Sequence, residues 1–170
     1  LVHCFYAHKL VFMPHGENLI LKLKNSVPVG AYMKDIGEEV ALLNSTESLP
    51  EEVSRIHITM PKELELLSIF TDVFDCFFRY LVAILVREKR ITESDFWHGV
   101  AQSVKAYQQA NPALNARFKE YDFFSDEFAH SCLNRLQLGN NKQMVDLTDP
   151  AGSLQFAGSL NNPVSAKLYG

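Results

Sequence analysis

Hydrophobic positions follow two different rhythms along this chain, and the change between them divides it. Leu1 to Leu10 reads as the tail of an apolar helix. From Asn18 to Lys24, Leu19, Leu21 and Leu23 alternate with Ile20, Lys22 and Lys24, the period of two that a strand imposes. Asn25-Ser26 then reads as a two-residue turn, and Val27 to Met33 as the returning strand, with Pro28 and Gly30 marking an edge or a bulge. Glu38 to Ser48 leaves room for one short element and a loop, closed by Leu49-Pro50.

Beyond Pro61 the spacing becomes threes and fours. Leu64, Leu67, Phe70, Phe74, Phe77, Phe78 and Leu81 predict a long core helix to about Arg87, with Cys76 on its core face. Proline suits its first turn, and Glu63 and Glu65 suit the positive end of its dipole. Thr92 and Asp95 form a capping box for a second helix, which Asn111-Pro112 ends. Ser125 reads as the cap of a third helix, stopped by Gly139, and an aperiodic tail follows. The expected fold class is α+β: residues 1–50 form a β-hairpin region, residues 51–170 a helical bundle with an irregular tail, together one domain.

Composition acts mainly by exclusion. With 170 residues, 47% of them hydrophobic, the chain can build a core without disulfides or a metal staple. A net charge of -4 argues against nucleic acid as a partner. Cys4, Cys76 and Cys132 have neither metal-ligand spacing nor an even count, which fits a reducing cytoplasm. The apolar run Leu81 to Val86 is too short to span a membrane, and no signal peptide opens the chain. An opening leucine followed by an apolar segment suggests an excised piece of a longer protein.

The chemistry concentrates at the open end of the hairpin. If Lys24 faces Val27, Glu17 falls opposite Lys34 and Gly16 opposite Asp35, with Asn18 and Asp35 diagonal on one face. His15 lies just outside the ladder. An amide oxygen and a carboxylate are hard ligands for magnesium, and lysine and histidine can donate to phosphate oxygens. The same residues also allow a plainer reading. Glu17 and Lys34 would make a cross-strand ion pair worth under about 1 kcal/mol, and Asp35 would cap a turn.

The stretch His8 to Leu21, containing His15-Gly16-Glu17-Asn18, and the stretch Met33-Lys34-Asp35-Ile36-Gly37-Glu38-Glu39 resemble the C-terminal half of the NRPS-independent siderophore synthetases, the IucA/IucC-like ligases. Met144 to Pro150 and Ser153 to Gly158 are similar to the branch that makes desferrioxamine, putrebactin and alcaligin. The resemblance implies the palm-like part of a cupped-hand fold, with ATP and Mg2+ used to adenylate a carboxylate. An amine or hydroxylamine then displaces AMP to leave an amide. It further implies His15 as a catalytic and ATP-binding residue, Asn18 and Lys34 as ATP-binding residues, Asp35 as the metal ligand, and a homodimer of the full-length protein. Lys34 stands where many relatives have arginine, and Met13-Pro14 where many have Glu-Ala, so Glu38 or Glu39 would have to replace a missing carboxylate. Nothing here matches the family's upstream ATP contacts, so the isolated chain is expected neither to turn over nor to bind ATP tightly.

Two other readings stay open. His-Gly-x-Asn followed by an aspartate also resembles aminoglycoside-phosphotransferase-like kinases, although Asn18 follows the histidine too soon. The aromatic helix around Phe70 to Tyr80 could instead be a non-catalytic docking or dimerisation module. His57 is expected to be half-buried, Trp97-His98 to serve packing, and His3 and His8 to be structural. Cys4 and Cys132 show no activating neighbour, and Arg87, Lys89 and Arg90 form a solvated helix end.

Overall fold

A computed structural model describes residues 1–14, 16–37, 40–131 and 156–169. The fold is α+β, with the strands that carry the candidate site near the N-terminus and helices after them. Helix α1 (Val2–His8) ends where Lys9 turns left-handed at φ 54° and returns its N–H to the carbonyls of Cys4 and Phe5. Strand β1 (Leu10–Phe12) follows, then the ribbon β2 (Leu19–Lys24) and β3 (Val27–Met33), then β4 (Val40–Leu43). A two-residue β5 (His57–Ile58) pairs parallel to β4, which pairs antiparallel to β1. His57 is exposed on this short edge strand rather than half-buried.

The long helix is present but is not α-helical throughout. After a short α2 (Leu67–Ile69), Phe70–Phe78 is π-helical, and α3 (Arg79–Arg87) completes the run. Bonding five residues back turns each residue less around the axis than an α-helix does, so the pattern read at 3.6 residues per turn drifts out of phase. Asp75 is consequently buried and Cys76 exposed, the reverse of the expected placing of the cysteine on the core face. Asp75 is held by Arg79 Nη1 at 2.8 Å and His130 Nε2 at 3.7 Å. Partial desolvation of the sulfur and the carboxylates of Asp72 and Asp75 keep the Cys76 thiol protonated.

Asp72 has a different environment. Burial pushes its carboxyl up to about 7. The folded state therefore holds the proton more tightly than the unfolded chain, and stability falls as pH rises from about 4 through 7. Asp72→Asn should stabilise the fold by about 1–3 kcal/mol above pH 7, with the gain fading to nothing near pH 4. Urea titrations at pH 4, 6 and 8 would check this, and a pH-independent difference would refute it.

Helix α4 (Glu93–Ala110) has the capping box read from the sequence: Asp95 N–H donates to Thr92 Oγ1 at 3.1 Å, and Thr92 N–H donates to the Asp95 carboxylate at 3.2 Å. A 3-10 turn and α5 (Asn115–Glu120) follow. The expected third helix is corrected. Glu127–Ser131 is strand β6, paired antiparallel with β7 (Phe156–Asn161) inside the stretch read as an irregular tail. The remainder of that expected helix, to Gly139, lies outside the described residues, as do Cys132 and the Met144 to Pro150 motif. A final short helix, α6 (Ala166–Tyr169), closes the described chain.

One aromatic-rich core joins these pieces. Phe5, Tyr6, Val11 and Leu43 pack with Phe70, Phe74, Trp97, Tyr121, Phe123 and Phe128, and Phe70 stacks on Phe128 at 4.7 Å between ring centroids. Beside it lies a buried polar hub. Glu65, 1% exposed, accepts from Lys9 Nζ at 3.2 Å, Asn44 Nδ2 at 2.7 Å and Tyr121 Oη at 2.8 Å. Burial and the Glu65 carboxylate keep the Tyr121 hydroxyl protonated, so it remains a donor. Asn44 also binds both backbone groups of Met60. The hub thus fastens the start of β1 and the end of β4, the strands that flank the ribbon in sequence.

Candidate functional site at the open end of the ribbon

Asn25 and Ser26 both have positive φ, 52° and 63°, the left-handed pair of a type I′ turn that matches the twist of its strands. Lys24 faces Val27 and Leu23 faces Pro28, as expected. The register then shifts, so that Lys22 faces Gly30, Leu21 faces Ala31 and Leu19 faces Met33. Proline has no N–H for the ladder, and Val29 beside it is the extra residue of a bulge.

That slip of one residue corrects the expected geometry of the site. Asn18 now stands opposite Lys34, whose N–H donates to the Asn18 carbonyl at 3.0 Å. The expected pairings of Glu17 with Lys34 and Gly16 with Asp35, and the diagonal of Asn18 and Asp35 on one face, do not occur. Asp35 leaves the strand geometry altogether at φ 58°. Its carboxylate forms an ion pair with the adjacent Lys34 ammonium, and both side chains are about half exposed. A cation and an anion therefore stand together at the ribbon's solvent-facing end.

Asn18 is almost wholly buried. Its Nδ2 donates to the Met13 carbonyl at 2.9 Å, clipping the segment between β1 and β2 onto the base of the ribbon. A side chain added at Gly16 would meet nothing within 4 Å, so open space adjoins this loop. His15, Glu38 and Glu39 lie outside the described residues. One residue was not singled out from the sequence: Arg55, on the 3-10 turn Glu51–Ile56, brings its Nη2 within 3.4 Å of where a Cβ on Gly37 would sit. A second cation thus lies against the turn that carries Lys34 and Asp35. No local pattern marks it, because it comes from some twenty residues downstream.

Elsewhere the expectations divide. Trp97 is buried in packing as expected, while His98 is exposed and bonded to Gln102 at 2.7 Å. His3 bonds Tyr107 at 2.9 Å and meets His8 edge to face, so both have structural contacts. Among the described residues, no group of three or more His, Cys, Asp or Glu gathers in a way that could hold a metal ion, and no helix is long and apolar enough to cross a membrane.

The chain is thus an α+β unit with a charged hairpin end beside an open loop. The chain belongs to the family whose model is described as FhuF, ferric iron reductase FhuF-like transporter, which matches residues 1–146, and it is similar to part of several siderophore synthetases. It is 51% identical over 166 residues to the putrebactin synthase of Shewanella sp. (strain MR-4), covering 98% of this chain and 26% of that one. It is 32% identical over 168 residues to the rhizobactin siderophore biosynthesis protein RhbF of Rhizobium meliloti (strain 1021), covering 96% and 28%. The fold matches the aerobactin synthetase IucC from a hypervirulent pathotype of Klebsiella pneumoniae with a TM-score of 0.73 at 21% identity, over 96% of this chain and 28% of that structure. This chain therefore spans about a quarter of the length of these relatives.

Proposed function

We propose that the protein containing this chain is an ATP-dependent, AMP-forming ligase of hydroxamate siderophore biosynthesis, working in the cytoplasm as a homodimer. A substrate carboxylate oxygen attacks the α-phosphorus of ATP and releases pyrophosphate; the nitrogen of an amine or hydroxylamine then attacks the activated carbonyl and releases AMP. The observation that carries this reading is the Lys34–Asp35 ion pair at the ribbon's open end, in a chain half identical to a putrebactin synthase.

In this reading Lys34 donates to phosphate oxygens and Asp35 offers a hard oxygen to Mg2+. His15 and Asn18 complete the nucleotide contacts, Asn18 also by holding the carbonyl of Met13, two residues before His15 in sequence. The donor set fits magnesium, which needs only one or two protein carboxylates when phosphate and water supply the rest. When bound, Mg2+ would neutralise charge on the phosphates. Arg55 stands close enough to the same turn to join Lys34 there.

The test is product analysis with the full-length protein, ATP, Mg2+ and a succinylated N-hydroxy-diamine. AMP and pyrophosphate are expected in step with amide formation. ADP and inorganic phosphate would overturn the reading and favour a kinase.

A further inference from the structure

The contact between Lys34 and Asp35 is one that a regular strand forbids. Successive side chains of a strand point to opposite faces, so neighbours along β3 could not pair. Lys34 still belongs to the ladder, its N–H fixed to the Asn18 carbonyl at 3.0 Å, and Asn18 is itself 1% exposed. The left-handed turn at Asp35, φ 58°, then brings the carboxylate back onto the Lys34 ammonium. Backbone geometry therefore builds this pair, although both side chains stay about half exposed. Arg55, also exposed, lies against Gly37 of the same turn.

We propose that the pair is a selectivity gate: Asp35 withholds the Lys34 ammonium until a divalent cation takes the carboxylate, so the site accepts magnesium-loaded polyphosphate and rejects the metal-free form. The inference rests on the reading of the ribbon's open end as a phosphate site. A metal-free polyphosphate meets the Asp35 carboxylate twice over, as a charge that repels it and as a competitor for the ammonium that would hold it. With Asp35 facing a magnesium ion, both effects reverse. Magnesium is commonly held by one or two carboxylates together with substrate phosphates, and a bound cation dominates the local field. Lys34 is then released to donate to phosphate oxygens. An ion pair this exposed is weakly held, as a gate that must open requires. Arg55 attracts anions in either state, so the choice between the two forms falls to Asp35, a specificity-determining residue.

The experiment measures binding of inorganic tripolyphosphate to the full-length protein by titration calorimetry, once in EDTA and once in excess Mg2+. Wild type should bind at least about tenfold more tightly with Mg2+, and equal affinities would overturn the proposal. Asp35→Asn keeps a side chain that tolerates the left-handed turn. It should tighten binding in EDTA by about three- to tenfold, the scale of one exposed charge contact, and lose most of the preference for Mg2+. Adding Lys34→Met to that variant should abolish the gain, because the gain requires the released ammonium. No tightening in Asp35→Asn, or a gain that survives Lys34→Met, would sink the gate. A merely structural role for Asp35 would weaken binding in both conditions. Binding is read without turnover, so the two readings fail separately. AMP release by the unmodified protein without this inversion overturns the gate alone, whereas the inversion without AMP release supports the gate and overturns the ligase reading.

Discussion

Replacing Glu65 with alanine is expected to destabilise the fold by about 3–5 kcal/mol, the usual result of breaking a buried ion pair by removing one partner. The carboxylate is 1% exposed and accepts from three donors on distant segments. Removing it leaves the Tyr121 hydroxyl inside the core without its acceptor and takes one acceptor from Asn44, which keeps Met60. Lys9 suffers least, because its side chain is 24% exposed and can turn to water. Glu65→Gln keeps an oxygen able to accept and should lose distinctly less than the alanine variant. Trp97 is the chain's single tryptophan and is buried, so its fluorescence in urea reports the transition. A loss below about 1 kcal/mol for the alanine variant would contradict the hub's importance.

Asp35→Asn is expected to lower turnover of the full-length protein by about 10²–10³-fold, the scale seen when one preorganised electrostatic contact is removed. Asparagine is the informative replacement because Asp35 sits at φ 58°. Asparagine tolerates left-handed backbone almost as well as aspartate, whereas alanine adds roughly 1–2 kcal/mol of strain. The Asn variant therefore removes the charge and spares the turn. Its thermal stability should be unchanged within about 0.5 kcal/mol, because exposed ion pairs contribute little. Raising Mg2+ should recover part of the loss if the carboxylate holds metal, and turnover equal to wild type would remove Asp35 from the site.

Local signals in the sequence survived where the structure is local. The Asn25-Ser26 turn, the Thr92–Asp95 box and the end of α4 at Asn111-Pro112 each depend on residues within a few positions of one another, and all three were legible. Pro28 and Gly30 pointed to an edge or a bulge without choosing between them, and the bulge's register slip decides what faces Asn18. The π-helical winding of Phe70–Phe78 left no such mark. Its residues satisfy an α-helical pattern almost as well, and only packing distinguishes an outward Cys76 from an inward one. Strand β6 was misread for another reason. Its partner β7 lies about thirty residues away, and Ser125, read as a helix cap, instead donates its hydroxyl to the Glu127 carbonyl at 3.2 Å. Arg55 is the same case at the site itself, since only the fold brings it to Gly37.

The contact between α1 and α5 has a consequence in time. Tyr6 is fully buried, and its hydroxyl donates to the Tyr121 carbonyl at 2.7 Å across a separation of 115 residues; Arg117 Nε returns a bond to the Tyr6 carbonyl at 3.2 Å. At about 5–20 residues per second on the ribosome, Tyr6 emerges roughly 6–23 s before its partner exists. Throughout that interval Phe5 and Tyr6 lack Tyr121 and Phe118, the rings that meet them edge to face. The packing of the first helix is thus completed only after more than a hundred further residues have been made.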